Sequence, residues 1–263
     1  MILEKVEKIV DAIRTTKGVK LLDYSSDKDH NRSVITFLGE PNAVAEAALK
    51  LAKAATELID MSTHTGGHPR MGAVDVMPLI PIKDITIEET IELSKKLAES
   101  IANECNMHVT LYENSASAPH RQNLADIRRG QYEVMAEKIK EDMWIPDYGP
   151  NEFNPKAGMV AVGARPPLIA YNINLSTDDV KIAKNIANVI RSAKGGFVFC
   201  KAMGLLIEET GKAQVSMNLV NPDYTTIFRV FDVVEREAHR YGVSVTDSEI
   251  VGLGPMKALI DTA

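Results

Sequence analysis

The order in which strand-like runs and helical repeats alternate after residue 168 constrains the fold more than any other feature of the chain. LIAYNINL (168–175) reads as a short apolar strand. Ser176 then reads as a helix N-cap with Asp179 three residues on, and Val180, Ala183, Ala187 and Ile190 recur at helical spacing until Gly195-Gly196. CKAMGLLIEE (200–209) and AQVSMNLV (213–220) read as strands joined by Thr210-Gly211-Lys212, a hairpin turn signal. Ile227, Val230, Phe231, Val234 and Ala238 mark a second helix, closed at Gly242, and VSVTDSEIV (243–251) supplies a last strand. This order, β-α-β-β-α-β, is the split βαβ or ferredoxin-like unit.

The first half repeats that grammar with one member missing. Ile2, Val6, Ile9, Val10 and Ile13 make a helix that ends near Gly18. Strands VKLLDYS (19–25) and SVITFLG (33–39) follow, and Pro41 fits the first turn of a helix carrying Val44, Ala48, Leu51 and Leu58. AVDVMPLIPI (73–82) reads as a strand; a helix at about 86–104 and a strand at about 107–112 extend this half. The order α-β-β-α-β implies a chain that begins one strand late. The expected class is therefore α/β of the α+β kind: two ferredoxin-like-type subdomains, each a mainly antiparallel or mixed sheet with helices on one face, and a groove between them. Arg165-Pro166-Pro167 marks the boundary, giving subdomains 1–166 and 167–263.

Composition excludes several classes. The balance of 45% apolar and 25% charged residues is that of an ordinary soluble domain, and no run of 18 apolar residues could span a membrane. MILEKVEKIV is an amphipathic start and not a signal peptide. Cys105 and Cys200 fall in unrelated segments, with no disulfide framework or CxxC knuckle, so a reduced, cytoplasmic setting is expected. A net charge of −6 without a basic block argues against a general nucleic-acid binder, while leaving room for an anionic small molecule.

Two irregular stretches stand out. HTGGHPRMG (64–72) sets His64 and His68 four apart, the spacing of a zinc pair on a helix. Gly66, Gly67 and Pro69 oppose a helix there, and no glutamate lies inside the motif, so no metal site is expected. A glycine-rich turn and a catalytic loop both remain open: glycines let backbone approach a ligand, and a histidine beside an arginine can move protons near neutral pH while the arginine holds a carboxylate. DMWIPDYGPNEFNPKAG (142–158), with the only tryptophan, is either a functional segment or a connector. Of the remaining polar features, SSDKDHNRS (25–33) reads as a solvated hairpin loop, VGAR (162–165) as a surface arginine and Arg128-Arg129 as a cationic turn at a helix end. His239 is expected to be exposed on its helix, His108 could face either side of its strand, and His120 carries no further signal.

The run IDMSTHTGGHPRMGAVDVMPLIPI (59–82) closely resembles the signature of the formiminotransferase domain family. LLDYSSDKDHNRSVITFLGEP, WIPDYGP, AVGARPPLIAYNINL, AQVSMNL and SEIVGLGPMKAL match it in the same order and at similar spacings, over essentially the whole chain. The resemblance implies two α/β subdomains with a folate groove between them. It also implies transfer of the formimino group of N-formimino-L-glutamate to N5 of tetrahydrofolate, a step of histidine breakdown and one-carbon metabolism. His68, directly before Pro-Arg-Met-Gly, is the implied catalytic histidine. The implied folate-contacting segment is Gly149, Pro150, Asn151, Glu152, Phe153, Asn154, Pro155, Lys156, Ala157 and Gly158. A homodimer is implied, with no metal. Both substrates carry carboxylates, so Arg70, Arg32 and Arg165 are candidate clamps by bidentate geometry.

This sequence departs from the family pattern in three places. It lacks the opening strand that ends in a Val-Pro-Asn-Phe-Ser-Glu-Gly-like run, it stops at Ala263 where the family continues, and it carries Ser25 where an acidic residue is usual in the bifunctional members. Two alternatives accompany the main expectation: formyl transfer between 5-formyltetrahydrofolate and glutamate, and folate binding with little catalysis.

Overall fold

A computed structural model describes residues 2–27, 31–66 and 69–260, and contacts divide the chain into two units, Met1–Arg165 and Pro166–Ala263. The α+β class expected from the pattern is what the chain adopts.

The first unit opens with helix α1 (Ile2–Arg14) and an antiparallel hairpin of β1 (Val19–Asp27) and β2 (Arg32–Gly39). Helix α2 (Pro41–Leu58) begins at its proline, as expected. The strand expected at 73–82 shortens to β3 (Asp75–Leu79). Helix α3 (Ile87–Cys105) starts in a capping box: Glu89 N–H donates to Thr86 Oγ1 at 3.2 Å, and Thr86 N–H donates to Glu89 Oε2 at 2.8 Å. Strand β4 (His108–Leu111), the short helices α4 (Leu124–Ile127) and α5 (Gln131–Lys138), and β5 (Met159–Ala164) complete the unit.

Strand β5 was not expected from the sequence, yet it is the centre of a parallel sheet of order β3-β5-β4, separate from the hairpin. All six of its residues are buried. Val160 and Val162 pack with Leu97, Ile101 and Ala52 of α3 and α2; Met159 and Ala161 pack on the opposite side with Ile127 of α4 and Met135 of α5. This sheet thus has helices on both faces, where helices on one face were expected. Parallel strands covered on both sides carry no polar alternation, which explains why β5 left no period-2 signal.

The second unit follows the expected order: β6 (Ile169–Leu175), α6 (Val180–Ile190), β7 (Cys200–Ile207), β8 (Lys212–Leu219), α7 (Ile227–Arg240) and β9 (Val245–Val251), then a short α8 (Met256–Ile260). The sheet order β7-β8-β6-β9, antiparallel throughout, is the ferredoxin-like arrangement. Ile169, Tyr171, Ile173 and Leu175 of β6 point into a core shared with Ala183, Ile186 and Ile190 of α6 and Val230 and Val234 of α7. One cap differs from expectation. Asp179, not Ser176, caps α6 by accepting from Lys181 N–H at 2.9 Å; Ser176 lies at a bend three residues earlier, and its Oγ accepts from Ser244 N–H at 2.9 Å.

Back in the first unit, the chain entering β3 is stitched to the chain entering β5. Gly72 and Gly158 form an antiparallel bridge; Ala73 N–H donates to Ala157 O at 2.9 Å and Met159 N–H to Met71 O at 3.1 Å. Gly158 has φ +70°, and a Cβ there would lie 2.3 Å from Met71 O; a Cβ on Gly72 would lie 2.2 Å from Met159 O. Only glycine permits that approach.

His108, at the start of β4, is fully buried, and its pKa is pushed down to about 4, first by burial and then by the Arg121 guanidinium. Arg121 itself forms a buried ion pair with Asp147 at 2.7 Å.

Two predictions follow from these packing constraints. Gly158→Ala should lose roughly 2–4 kcal/mol in urea unfolding, from strain and overpacking together. Gly211→Ala, at φ +65° but facing open space, should lose only about 1 kcal/mol; equal losses would show that the close approach does not matter. The second concerns pH. The unfolded imidazole takes its proton near 6.5 and the folded one near 4, so protonation favours unfolding. The stability associated with His108 is present above about 6.5 and is lost as the pH falls towards 4. His108→Gln should flatten the stability–pH curve in that window, and an unchanged slope would contradict the assignment.

Candidate active site

Of the stretch HTGGHPRMG, Gly67 and His68 lie outside the described residues, so the expected catalytic histidine has no described position. The residues on either side of it are held on three sides.

The first hold comes from the β1–β2 hairpin. His64 Nε2 lies 3.0 Å from Asn31 O, and because a carbonyl only accepts, Nε2 carries the proton. Its Nδ1 is buried and has no hydrogen-bond partner among the described residues. Asn31, in the left-handed region at φ +47°, returns a bond from Nδ2 to Thr65 O at 2.7 Å. The polar cluster 25–33, expected to be a solvated loop, thus docks through Asn31 on the histidine–glycine stretch. Arg32, exposed at the start of β2, is the next residue.

The second hold is on Arg70, whose side chain is only 12% exposed. Three consecutive residues at the start of α5 grip it. Its Nη1 donates to Gln131 Oε1 at 3.2 Å and to Glu133 Oε2 at 2.9 Å; Nη2 donates to Glu133 Oε1 at 2.5 Å and back to His64 O at 3.1 Å. Tyr132 N–H donates to Arg70 O at 2.8 Å. The guanidinium carbon lies 6.0 Å from the Tyr132 ring centre, a cation–π distance, and Nε is buried with no partner among the described residues. The bond from Arg70 holds the Glu133 carboxyl below the usual carboxylate range.

The third hold lies at the exit. Asp75, at φ +58°, accepts Met71 N–H on Oδ1 at 2.9 Å and pairs through Oδ2 with Arg128. Asp75 and Arg128 side chains are both 16% exposed, so Arg128 is a partly buried partner of the loop and not the surface turn residue expected. Arg129 does behave as a surface residue, pairing with Asp126.

The segment 149–158 meets the same place. Tyr132 Oη donates to Pro155 O at 2.5 Å and its ring sits 5.3 Å from that of Phe153. Asn154 Oδ1 accepts from Lys156 and Ala157 N–H, both at 3.1 Å, which folds the turn. Lys156 O accepts Met61 N–H at 2.9 Å, just ahead of His64, while its Nζ reaches Glu57 O at 3.0 Å. Ala157 and Gly158 are buried in the stitch to Gly72, Pro150 is half-buried, and Asn151 and Glu152 are exposed. Gly149, at φ +93°, marks where the segment passes Met107 O.

Arg165 is elsewhere. It follows β5, donates its N–H to Leu79 O at 3.0 Å, and its side chain reaches the Tyr112 phenol, which burial pushes up to about 12. From Gly158 to Arg165 the chain advances roughly 23 Å at about 3.3 Å per residue, so Arg165 and Arg70 lie at opposite ends of the sheet. The structure thus brings together His64, Arg70 and the Phe153–Gly158 half of the second segment, and leaves Arg165 apart. Sequence reading missed Asn31, Asp75, Arg128, Gln131, Tyr132 and Glu133. Asn31, Asp75 and Gln131 all have positive φ, and the one signal in the sequence is that Asn and Asp are types that tolerate that region.

Among the described residues no three His, Cys, Asp or Glu side chains gather as metal ligands, and no helix is long and apolar enough to cross a membrane.

Comparison with known proteins bears on this geometry. Residues 3–165 match the N-terminal subdomain of the formiminotransferase domain and residues 170–263 match the formiminotransferase domain. A glutamate formimidoyltransferase of Streptococcus pyogenes is 52% identical over 98% of this chain and 86% of its own length. One from Thermoplasma acidophilum is 45% identical over 99% of this chain and 86% of its own. The mouse formimidoyltransferase-cyclodeaminase is 43% identical over 99% of this chain, which spans 49% of that longer protein. With both subdomain models matched across nearly all of its length, the chain belongs to the formiminotransferase domain family.

Proposed function

We propose that this protein transfers the formimino group of N-formimino-L-glutamate to N5 of tetrahydrofolate, releasing L-glutamate and 5-formiminotetrahydrofolate, in histidine breakdown and one-carbon metabolism. One observation carries the reading. The two stretches assigned to proton transfer and folate contact, 64–72 and 149–158, are joined backbone to backbone at Gly72 and Gly158 and clasped again by Tyr132. Relatives sharing about half of its residues bear the corresponding activity in their names.

The chemistry asks for little beyond positioning and one proton carrier. N5 attacks the amidine-like carbon and sheds a proton; the glutamate nitrogen must gain one to leave. His68 takes the first and delivers the second, a contribution of about 10²–10⁴-fold. Bringing two substrates together on one surface adds effective molarity. The half-buried Phe153 ring offers an apolar face to the folate, and the arginines bind carboxylates, with Arg70 and Arg32 beside the loop and Arg165 further off. The protein acts without a metal, as a cytoplasmic homodimer. Formyl transfer from 5-formyltetrahydrofolate to glutamate is the second reading, because the same proton carrier serves either donor.

Purified protein with N-formimino-L-glutamate and tetrahydrofolate tests this. Turnover in the native chain should persist with chelator, and His68→Ala should lower kcat by about 10²–10⁴-fold. Equal turnover in the variant would overturn the histidine assignment. Folate binding without turnover would favour a binding protein, and turnover with the formyl donor alone would favour the second reading.

A further inference from the structure

Every terminal N–H of Arg70 already has an acceptor, and the acceptors are of two kinds. His64 O and Gln131 Oε1 are neutral and belong to the framework. Glu133 is different: its carboxylate takes both guanidinium nitrogens in a fork, yet its side chain is 60% exposed against 12% for the arginine. Arg70 is thus a seated cation whose charge is met by a carboxylate reaching in from the solvent side.

We infer that Glu133 is an internal stand-in for a substrate carboxylate, occupying the Arg70 fork until the glutamate moiety of the substrate displaces it. This rests on the proposed reading that Arg70 binds a substrate carboxylate, and assigns it that of the glutamate portion of the donor. Three physical points support it. A carboxylate in that fork has the planar, two-bond geometry that a free amino acid's carboxylate would adopt there. An ion pair with one largely solvated partner contributes little to stability, so Glu133 can leave at small cost. The neutral acceptors keep the guanidinium oriented after it goes, and a cation this buried, its Nε without a partner among the described residues, is unfavourable uncompensated, so an anion has to follow. Glu133 also lies in the first turn of α5, where a carboxylate turned outward still faces a helix N-terminus.

Competition for one seat reduces the apparent affinity of the incoming carboxylate by the fraction of time the seat is filled. Glu133→Gln should therefore lower the Kd for L-glutamate, measured by calorimetry, and the KM for N-formimino-L-glutamate, each by about 3- to 10-fold. Glu137→Gln, which removes a charge from the same helix where Glu137 pairs with Lys140, should change neither. The gain should vanish in Arg70→Lys/Glu133→Gln, which has no fork to share. A Kd and KM that stay the same or rise in Glu133→Gln would overturn the inference, as would an equal gain in Glu137→Gln. Native turnover tests the functional reading separately. If the native chain is inactive but Glu133→Gln binds glutamate more tightly, the stand-in survives and the reaction assignment fails; if neither is seen, both fail.

Discussion

The contact on which the rest of the site depends is the backbone bridge between Gly72 and Gly158. It joins two stretches that are more than eighty residues apart in sequence, each leading directly into a strand of the parallel sheet. Because the approach is main chain to main chain, it leaves no room for a side chain on either residue. It also fixes Met71 and Gly72 at the N-terminal ends of β3 and β5, so the exit of the loop is set by sheet geometry. The Asp75–Arg128 pair and the first turn of α5 then hold the loop from either side of that point.

The second unit was legible in the sequence because its antiparallel sheet has one covered face. Strand β6 alternates buried and half-buried residues along its whole length, and the two amphipathic helices lie against one side. In the first unit the central strand was not legible. Met159–Ala164 is buried on both faces, and a run of six small and apolar residues with no alternation looked like the tail of a loop followed by a stray arginine. Ser176 misled for a related reason. It has the chemistry of an N-cap, but its hydroxyl is taken by Ser244 N–H, and Asp179 caps the helix instead.

The candidate site was legible where it broke the pattern and illegible where it did not. Stretches 64–72 and 149–158 interrupt the helix and strand periods, and the family resemblance gave them meaning. Gln131, Tyr132 and Glu133 start a helix after Gly130, and nothing local tells that they close on an arginine 61 to 63 residues earlier. Arg128 was read as a terminal cation because helix ends favour one there; its buried partner, Asp75, is visible only in three dimensions. Arg165 shows the converse. It looked equivalent to Arg70 as a carboxylate clamp, and the sheet places it at the other end of β5.

Folate chemistry is proposed to take place where the two stitched stretches meet. A crystal structure of the protein with tetrahydrofolate bound tests this most directly. The pterin ring should lie against both residues 64–72 and the Phe153–Gly158 turn, with N5 facing the histidine loop. A pterin seated away from that junction, for instance in the cavity lined by Ile87, Ile91, Glu113 and Gln122, or wholly on the second unit, would contradict it.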